Sequence, residues 1–148
     1  MSKGASVLLR VTFDTTFFMS HYFSTNPSLL ARTKEILRIS RLQGNRGIVP
    51  AIVLAEFYAQ SAKRIGAAEA ERRFDEIVQS GLAISNLNQS LAKRAGIIRH
   101  KYQEKIPWGD CLIAATTLDL RAEYLITEDP EFKSIKEIKS RRIEDVRI

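Results

Sequence analysis

The chain has 148 residues, of which 45% are hydrophobic and 27% charged, values typical of one globular domain with a substantial core. Its single cysteine excludes an internal disulfide bond, and no apolar stretch reaches the ~20 residues that a membrane-spanning helix requires. The formal net charge of +6 favours a polyanionic partner such as nucleic acid. Because the N-terminus also lacks the long apolar segment of a signal peptide, the sequence predicts one cytoplasmic domain over residues 1–148.

The first half of the chain predicts strands that alternate with helices. Residues 7–13 are apolar and rich in β-branched side chains, which is typical of a short buried strand. Asn26 followed by Pro27 predicts a helix start, because asparagine caps free backbone N–H groups and proline fits the first turn. The next predicted elements are a strand over 47–50 and helices over 52–64 and 67–79.

The second half continues the same alternation. The predicted elements are a strand over 82–87, a helix from Asn88 to about Tyr102, a turn at 107–109, a helix over 110–118, a strand over 124–127, a short turn or helix at 129–132 and a last strand over 142–148. Strands that alternate with helices imply the α/β class, with a central, mainly parallel sheet covered by helices on both faces.

Four acidic residues lie at the edges of apolar segments. Asp14 and Asp129 follow predicted strands, and Glu56 and Asp110 lie in the predicted first turns of helices. In a parallel sheet, both kinds of position face the edge where the carboxyl ends of the strands meet, which is where such sheets bind ligands. A carboxylate among apolar neighbours is costly unless it is hydrogen-bonded, protonated or bound to a cation. The four acids together therefore predict a divalent-metal site with oxygen ligands.

Each acid also has a purely structural interpretation. Asp14, Asp110 and Asp129 could each cap the helix that follows. Glu56 could form an ion pair with basic residues further along its own helix. Capping accounts for each aspartate taken singly, but not for the common placement of all four acids on one edge.

The acids occur in four segments that resemble the PIN domain, and in particular the small VapC-type ribonuclease toxins. The segments are residues 11–16, 55–57, 107–116 and 125–132. The family pattern is an Asp after the first strand, a Glu in a helix, an Asp that opens an apolar helix, and a Thr-x-Asp-x-x-Phe element. All four match in order, and the resemblance covers essentially the whole chain. It implies a three-layer, PIN-like domain.

The resemblance also implies the activity and the residues of the site. The implied metal-binding and catalytic residues are Asp14, Glu56, Asp110 and Asp129, with Thr15 and Thr127 in supporting positions. The implied activity is that of an endoribonuclease, which hydrolyses RNA phosphodiester bonds with Mg²⁺ or Mn²⁺. Pairs of such ions neutralise the phosphoryl oxygens and activate a water molecule.

Within the set, our hypothesis assigns different roles. Asp14 and Asp129 contact metal directly, Asp110 bridges the ions or binds through water, and Glu56 holds a second ion or orients a ligating water. Glu128, next to Asp129, is expected to be a spectator, with an outer-shell ligand as the alternative.

The implied partners are RNA, a VapB-type antitoxin and a second copy of the chain. Two alternatives stay open within the family: a PIN-like nucleic-acid-binding module without catalysis, and a nuclease of ribosomal RNA processing outside any toxin–antitoxin system. A haloacid-dehalogenase-like phosphatase is disfavoured, because Thr16 occupies the place of its second Asp. Affinity for RNA must come from basic residues outside an acidic site, and candidates on helices are Lys63, Arg64, Lys93 and Arg94.

Overall fold

The computed structural model describes residues 8–148. The strands are β1 (Arg10–Phe13), β2 (Arg46–Pro50), β3 (Ala83–Ser85), β4 (Tyr124–Ile126) and β5 (Ser140–Arg141). The helices are α1 (Thr15–Phe23), α2 (Pro27–Ser40), α3 (Ala51–Ile65), α4 (Ala67–Val78), α5 (Gln89–Lys101) and α6 (Trp108–Asp119), with 3-10 helices at Pro130–Ser134 and Ile143–Asp145.

The five strands form one sheet in the order β3-β2-β1-β4-β5, and every pair of neighbours is parallel. Helices cover the sheet, so the predicted three-layer α/β architecture is confirmed. The central strand β1 is buried from Val11 to Phe13, and Phe13 packs against the rings of Phe17 and Phe18 at the start of α1. Both faces of β1 are covered from Val11 onward, and the buried hydroxyl of Thr12 is hydrogen-bonded with that of Thr117 (2.7 Å).

The helix boundaries follow their sequence signals closely. The side chain of Asn26 accepts hydrogen bonds from the backbone N–H groups of Ser28 (3.0 Å) and Leu29 (3.3 Å). Asn88 caps α5 in the same way through Leu91 N–H (2.9 Å). Gly66 ends α3 with φ +87°, a conformation that glycine adopts without the strain of a side chain. None of the helices in the described range is long and apolar enough to cross a membrane.

The predicted turn at 107–109 is wrong, because Trp108 and Gly109 are the first residues of α6. Pro107 has an extended backbone (φ −58°, ψ 150°), and its carbonyl accepts from Cys111 N–H (3.0 Å), which closes the first helical turn. Pro107 is therefore the N-cap residue, directly before the first residue of the helix. Glu56 likewise lies in the second turn of α3, not the first, because that helix begins at Ala51.

Both ends of the described chain differ from the predicted strands. Val7 lies outside the described residues, and β1 begins only at Arg10, since Leu9 N–H donates to the side chain of Asn45 (2.8 Å). The predicted last strand over 142–148 is also wrong. Ile143 and Val146 are buried, but their spacing of three residues fits a 3-10 helix, which begins at Ile143 and ends just before Val146.

A clamp from α2 holds this C-terminal segment. The Arg32 guanidinium donates to the backbone carbonyls of Ile143 (Nε, 2.8 Å) and Val146 (Nη2). Each acceptor lies more than one hundred positions along the chain from the donor. The clamp therefore fixes the last turn of the chain against an outer helix.

Candidate active site

The ends of β1 and β4 bring the first two acids to the same edge of the sheet. The two strands are neighbours, with Phe13 in register with Ile126. Asp14 follows β1 directly, and its backbone N–H donates to the carbonyl of Ile126 (3.0 Å). Thr127, Glu128 and Asp129 continue from the end of β4. We call this edge the carboxylate rim, defined by Asp14, Glu56, Asp110 and Asp129.

Two hydroxyl groups hold the Asp14 side chain, which is only 4% exposed. Its Oδ2 accepts hydrogen bonds from Thr16 Oγ1 and from Thr127 Oγ1, each at 2.7 Å. The same hydroxyls accept from the backbone: Thr16 from Glu128 N–H and Thr127 from Asp129 N–H, both at 2.9 Å. Asp14 occupies the N-cap position of α1, yet its carboxylate makes no capping bond within the described residues. Its orientation is set by the two threonines.

Glu56 is held between α1, α3 and the start of α6. Its Oε1 accepts from Thr15 Oγ1 at 2.6 Å. Its Oε2 faces Gly109, where an added Cβ would lie 2.6 Å away. In residues 8–148, Glu56 forms no ion pair with the basic residues of its own helix. Burial raises the pKa of Glu56, the Thr15 hydroxyl opposes that shift, and the charge of Asp14 adds to it.

Asp110 is half-buried in the first turn of α6, and its carboxyl group has no hydrogen-bond or ion-pair partner among the described residues. Its pKa is raised to about 7, first by burial and then by the negative charges of Asp14, Asp129 and Glu56. The four predicted residues therefore interact electrostatically, as they would at one shared rim.

Asp129 has two functions to reconcile. Its Oδ1 accepts from Glu131 N–H (2.9 Å) and so caps the 3-10 helix Pro130–Ser134, as the structural interpretation expects. Its second oxygen has no hydrogen-bond partner within the described range and is the one available to a ligand. Glu128 points elsewhere: its oxygens accept from Arg142 Nη2 (3.3 Å) and Ile143 N–H (2.9 Å). Both of its oxygens are thus engaged with the C-terminal segment.

The rim suits a hard divalent cation in its donor chemistry. Its ligating atoms are carboxylate oxygens, and the half-buried, unpartnered Asp110 is a charge that a cation would compensate. In residues 8–148, no three acidic, histidine or cysteine side chains converge closely enough to enclose an ion as they stand. The carboxylate oxygens are suitable ligands for a divalent cation, but they lie further apart than the ligands of a closed metal centre.

Thr16 belongs to the site and was not predicted as a member. It supplies half of the hydroxyl support of Asp14 and also holds the backbone of Glu128. A signal was present in the sequence, because a hydroxyl two positions after an Asp that precedes a helix can reach back to that carboxylate.

Comparison with protein-family models matches residues 11–138 to the PIN domain. The chain therefore belongs to the PIN domain family. A search of curated proteins gave no significant match.

Solved structures share the fold at low sequence identity. VapBC2 from Rickettsia felis, bound to a DNA fragment from its promoter, is 19% identical with a TM-score of 0.73, over 89% of this chain and 97% of that one. DNA-bound VapBC from Salmonella typhimurium is 15% identical with a TM-score of 0.72, over 92% and 99%. Mycobacterium tuberculosis VapC20, a toxin that cleaves the sarcin-ricin loop, is 15% identical with a TM-score of 0.65, over 84% and 93%. At these identities the likeness shows a common fold.

Proposed function

We propose that the protein is a metal-dependent endoribonuclease that hydrolyses RNA phosphodiester bonds and acts as the toxin of a VapBC-type pair. PIN domains are generally nucleases. The observation that carries the proposal is the unpartnered, half-buried carboxyl group of Asp110, which lies within electrostatic reach of Asp14, Glu56 and Asp129. Protein interiors rarely leave such a charge uncompensated unless a ligand completes the site.

Mg²⁺ or Mn²⁺ held by the four rim carboxylates would neutralise charge on the phosphoryl oxygens and supply an activated water molecule. The chain itself prepares the ligands for that task. Thr16 and Thr127 fix the direction of the Asp14 carboxylate, and Thr15 fixes one oxygen of Glu56. Because Asp110 has a pKa of about 7 without metal, a proton and a cation compete for its carboxyl group, so metal affinity should rise with pH.

Cleavage of RNA in defined metal conditions tests the proposal. The parent protein should cut RNA with Mn²⁺ or Mg²⁺ and stop when EDTA is added. Asp14→Asn should be inactive, whereas Asp75→Asn, which changes an exposed acid on α4, should retain parental activity. Undiminished cleavage in EDTA, or equal activity of the two variants, would overturn the metal mechanism.

The biological assignment is tested separately. The fold shared with VapBC structures supports a VapB-type antitoxin as partner. We propose in addition that the chain is a single domain over residues 1–148 that forms a homodimer in the cytoplasm. Expression of the parent chain should arrest growth, and co-expression of a small reading frame, if one lies next to the gene, should relieve the arrest. Growth unaffected by an active nuclease would favour a role in RNA processing. Light scattering of the purified chain measures the dimer directly.

A further inference from the structure

A pocket adjoins the carboxylate rim on the side of β5. Its volume is about 500 Å³, and one of its walls is formed by Asp129 of the rim and by Thr127, which donates to Asp14. The opposite walls come from the 3-10 helix Pro130–Ser134, from β5 and from the C-terminal segment. Four cations line it, Lys133, Arg141, Arg142 and Arg147, together with three acids, Glu128, Asp129 and Asp145. We call it the basic pocket.

One of these cations is neutralised by the protein itself. Arg142 pairs with Glu128 and with Glu144, each at 3.3 Å. Glu128 is engaged in turn, because its other oxygen accepts from Ile143 N–H. The Arg142–Glu128 pair is therefore a structural tie between the end of β4 and the C-terminal turn, and it leaves neither charge free for a ligand.

The other three cations have no ion-pair partner in the described part of the chain. Arg141 lies with its guanidinium 4.6 Å from the centre of the Tyr124 ring, which holds the side chain in place without neutralising it. Lys133 and Arg147 are exposed. With Arg142 paired to Glu128, the other three cations outnumber the two remaining acids of the lining, Asp129 and Asp145, and a bound anion would reduce the repulsion among those cations.

We propose that the basic pocket binds a backbone phosphate of the RNA strand beside the phosphate that is cut. The proposal rests on the proposed function, since it names how the same site holds its substrate. Its volume lies in the range of small-ligand pockets, roughly 300–1,000 Å³, and so admits one nucleotide. Asp129 belongs to both the pocket and the rim, and Thr127 of the pocket donates to Asp14 of the rim, so a strand seated in the pocket continues into the rim.

The cations of this pocket are not the basic residues that the sequence predicted as RNA contacts, since none of those residues lines it. Lys63 and Arg64 lie in the last turn of α3, whose first turns face the rim, so the helix carries them away from the site. The Arg64 guanidinium also stacks on Phe23, 4.5 Å from the ring centre. Arg94 pairs with Asp119 at 3.4 Å. Lys63 and Lys93 are exposed and serve as matched controls.

Binding of a fluorescein-labelled, 12-nucleotide single-stranded RNA across a salt series tests the pocket. All proteins carry Asp110→Asn so that the strand stays intact. The pair Lys133→Gln and Arg147→Gln should weaken binding about tenfold and flatten the slope of log affinity against log salt by about 1.4, since each single-strand phosphate contact contributes ~0.7. The control pair, Lys63→Gln and Lys93→Gln, removes the same charge and should retain the parental slope. Equal losses in both pairs, or none in the pocket pair, would overturn the proposal.

Cleavage by proteins with an intact rim separates this proposal from the proposed function. If the parent cuts RNA with Mn²⁺ and the pocket pair keeps the parental kcat/KM and affinity, the pocket assignment fails while the nuclease stands. If the parent cuts no RNA but the pocket pair alone loses binding, the pocket assignment is supported and the nuclease fails. Thermal melts of both pairs check that their folds match, since all four side chains are exposed.

Discussion

Asp14 and Asp110 face the same rim, yet the protein treats their charges in opposite ways. Asp14 is buried, and two threonine hydroxyls donate to one of its oxygens. Asp110 is half-buried without any such donor in the described residues, and its pKa is raised to about 7. Hydroxyl donors of the fold satisfy the carboxylate at one end of the rim, whereas the carboxyl group at the other end has no partner among the described residues. A ligand-binding site can therefore be recognised by the charge that the fold leaves uncompensated.

The largest effect expected from this comparison is on metal binding at Asp110. Asp110→Asn should lower Mn²⁺ affinity by at least ~100-fold, because even outer-shell partners of a metal contribute 10- to 100-fold. Electron paramagnetic resonance of Mn²⁺ measures the affinity without any catalytic assay. Asp75→Asn is the control, because Asp75 is an exposed acid that does not belong to the carboxylate rim. Parental Mn²⁺ affinity in Asp110→Asn would break the comparison, since the uncompensated charge would then have no ligand.

The next effect concerns the approach of Glu56 to the start of α6. In Gly109→Ala the new Cβ would meet Glu56 Oε2 at 2.6 Å, so the carboxylate must move. We expect RNA cleavage to fall by roughly 10- to 100-fold, the range for a displaced metal-site group, with the fold retained because alanine favours a helix.

The matched control for this substitution is Gly96→Ala in α5. An added Cβ there meets no atom within 4 Å, so only the helix propensity changes. Kinetics and thermal melts of both variants make the comparison. Full activity in Gly109→Ala would show that the position of Glu56 is unimportant for cleavage.

A smaller effect should follow from loosening the satisfied end of the rim. Thr16→Val removes one donor to Asp14 and the acceptor of Glu128 N–H. We expect about 1–3 kcal/mol of lost stability, the usual cost of an unsatisfied buried polar group, and a cleavage rate lower by about tenfold. Thr16→Ser restores the hydroxyl and should recover both. Urea titration and cleavage kinetics are the measurements, and a serine variant that recovers neither would exclude the hydroxyl as the cause.

The smallest effect is a pH dependence of stability in the metal-free protein. The Asp110 carboxyl has a pKa of about 7 when folded and ~3.9 when unfolded, so the folded state binds more protons between these values. The contribution of the Asp110 carboxyl group to the free energy of unfolding is therefore fully present below about pH 4 and is lost as the pH rises towards 7. Asp110→Asn should exceed the parent by about 1 kcal/mol at pH 8, a figure reduced for solvent screening of a half-exposed group, and equal it at pH 4.

Urea titrations in EDTA at the two pH values measure this difference. Asp75→Asn should follow the parent at both. If the free energy of unfolding of Asp110→Asn exceeded that of the parent by the same amount at pH 4 and pH 8, the substitution would act through packing and not through charge.

Sequence patterns predicted most of the fold because local signals and burial agreed. The buried strand that ends at Phe13 and the caps at Asn26 and Asn88 need only local chemistry, and the structure has each of them. The α6 start at Trp108 escaped prediction, because a Pro-x-Gly segment is as typical of a turn as of a helix start.

The site was predicted as a set of acids, and their individual surroundings were not. Chain order and strand ends suffice to place Asp14 and Asp129 on one edge. The role of Thr16 depends on a contact with Glu128, which lies more than one hundred positions further along the chain. The hydrogen bond between Ile143 and Glu128 joins residues about fifteen positions apart. No local pattern contains such contacts.

The Arg32 clamp has a consequence for how this sequence can change during evolution. Arg32 holds the carbonyls of Ile143 and Val146, and the next residue, Arg147, lines the basic pocket. A relative that lost this arginine would need another donor for the same two carbonyls, or a different course for its last residues. Because both acceptors are backbone carbonyls, which every residue type carries, relatives with this course of the C-terminal segment should keep a donor at position 32 even where their side chains at 143–147 differ.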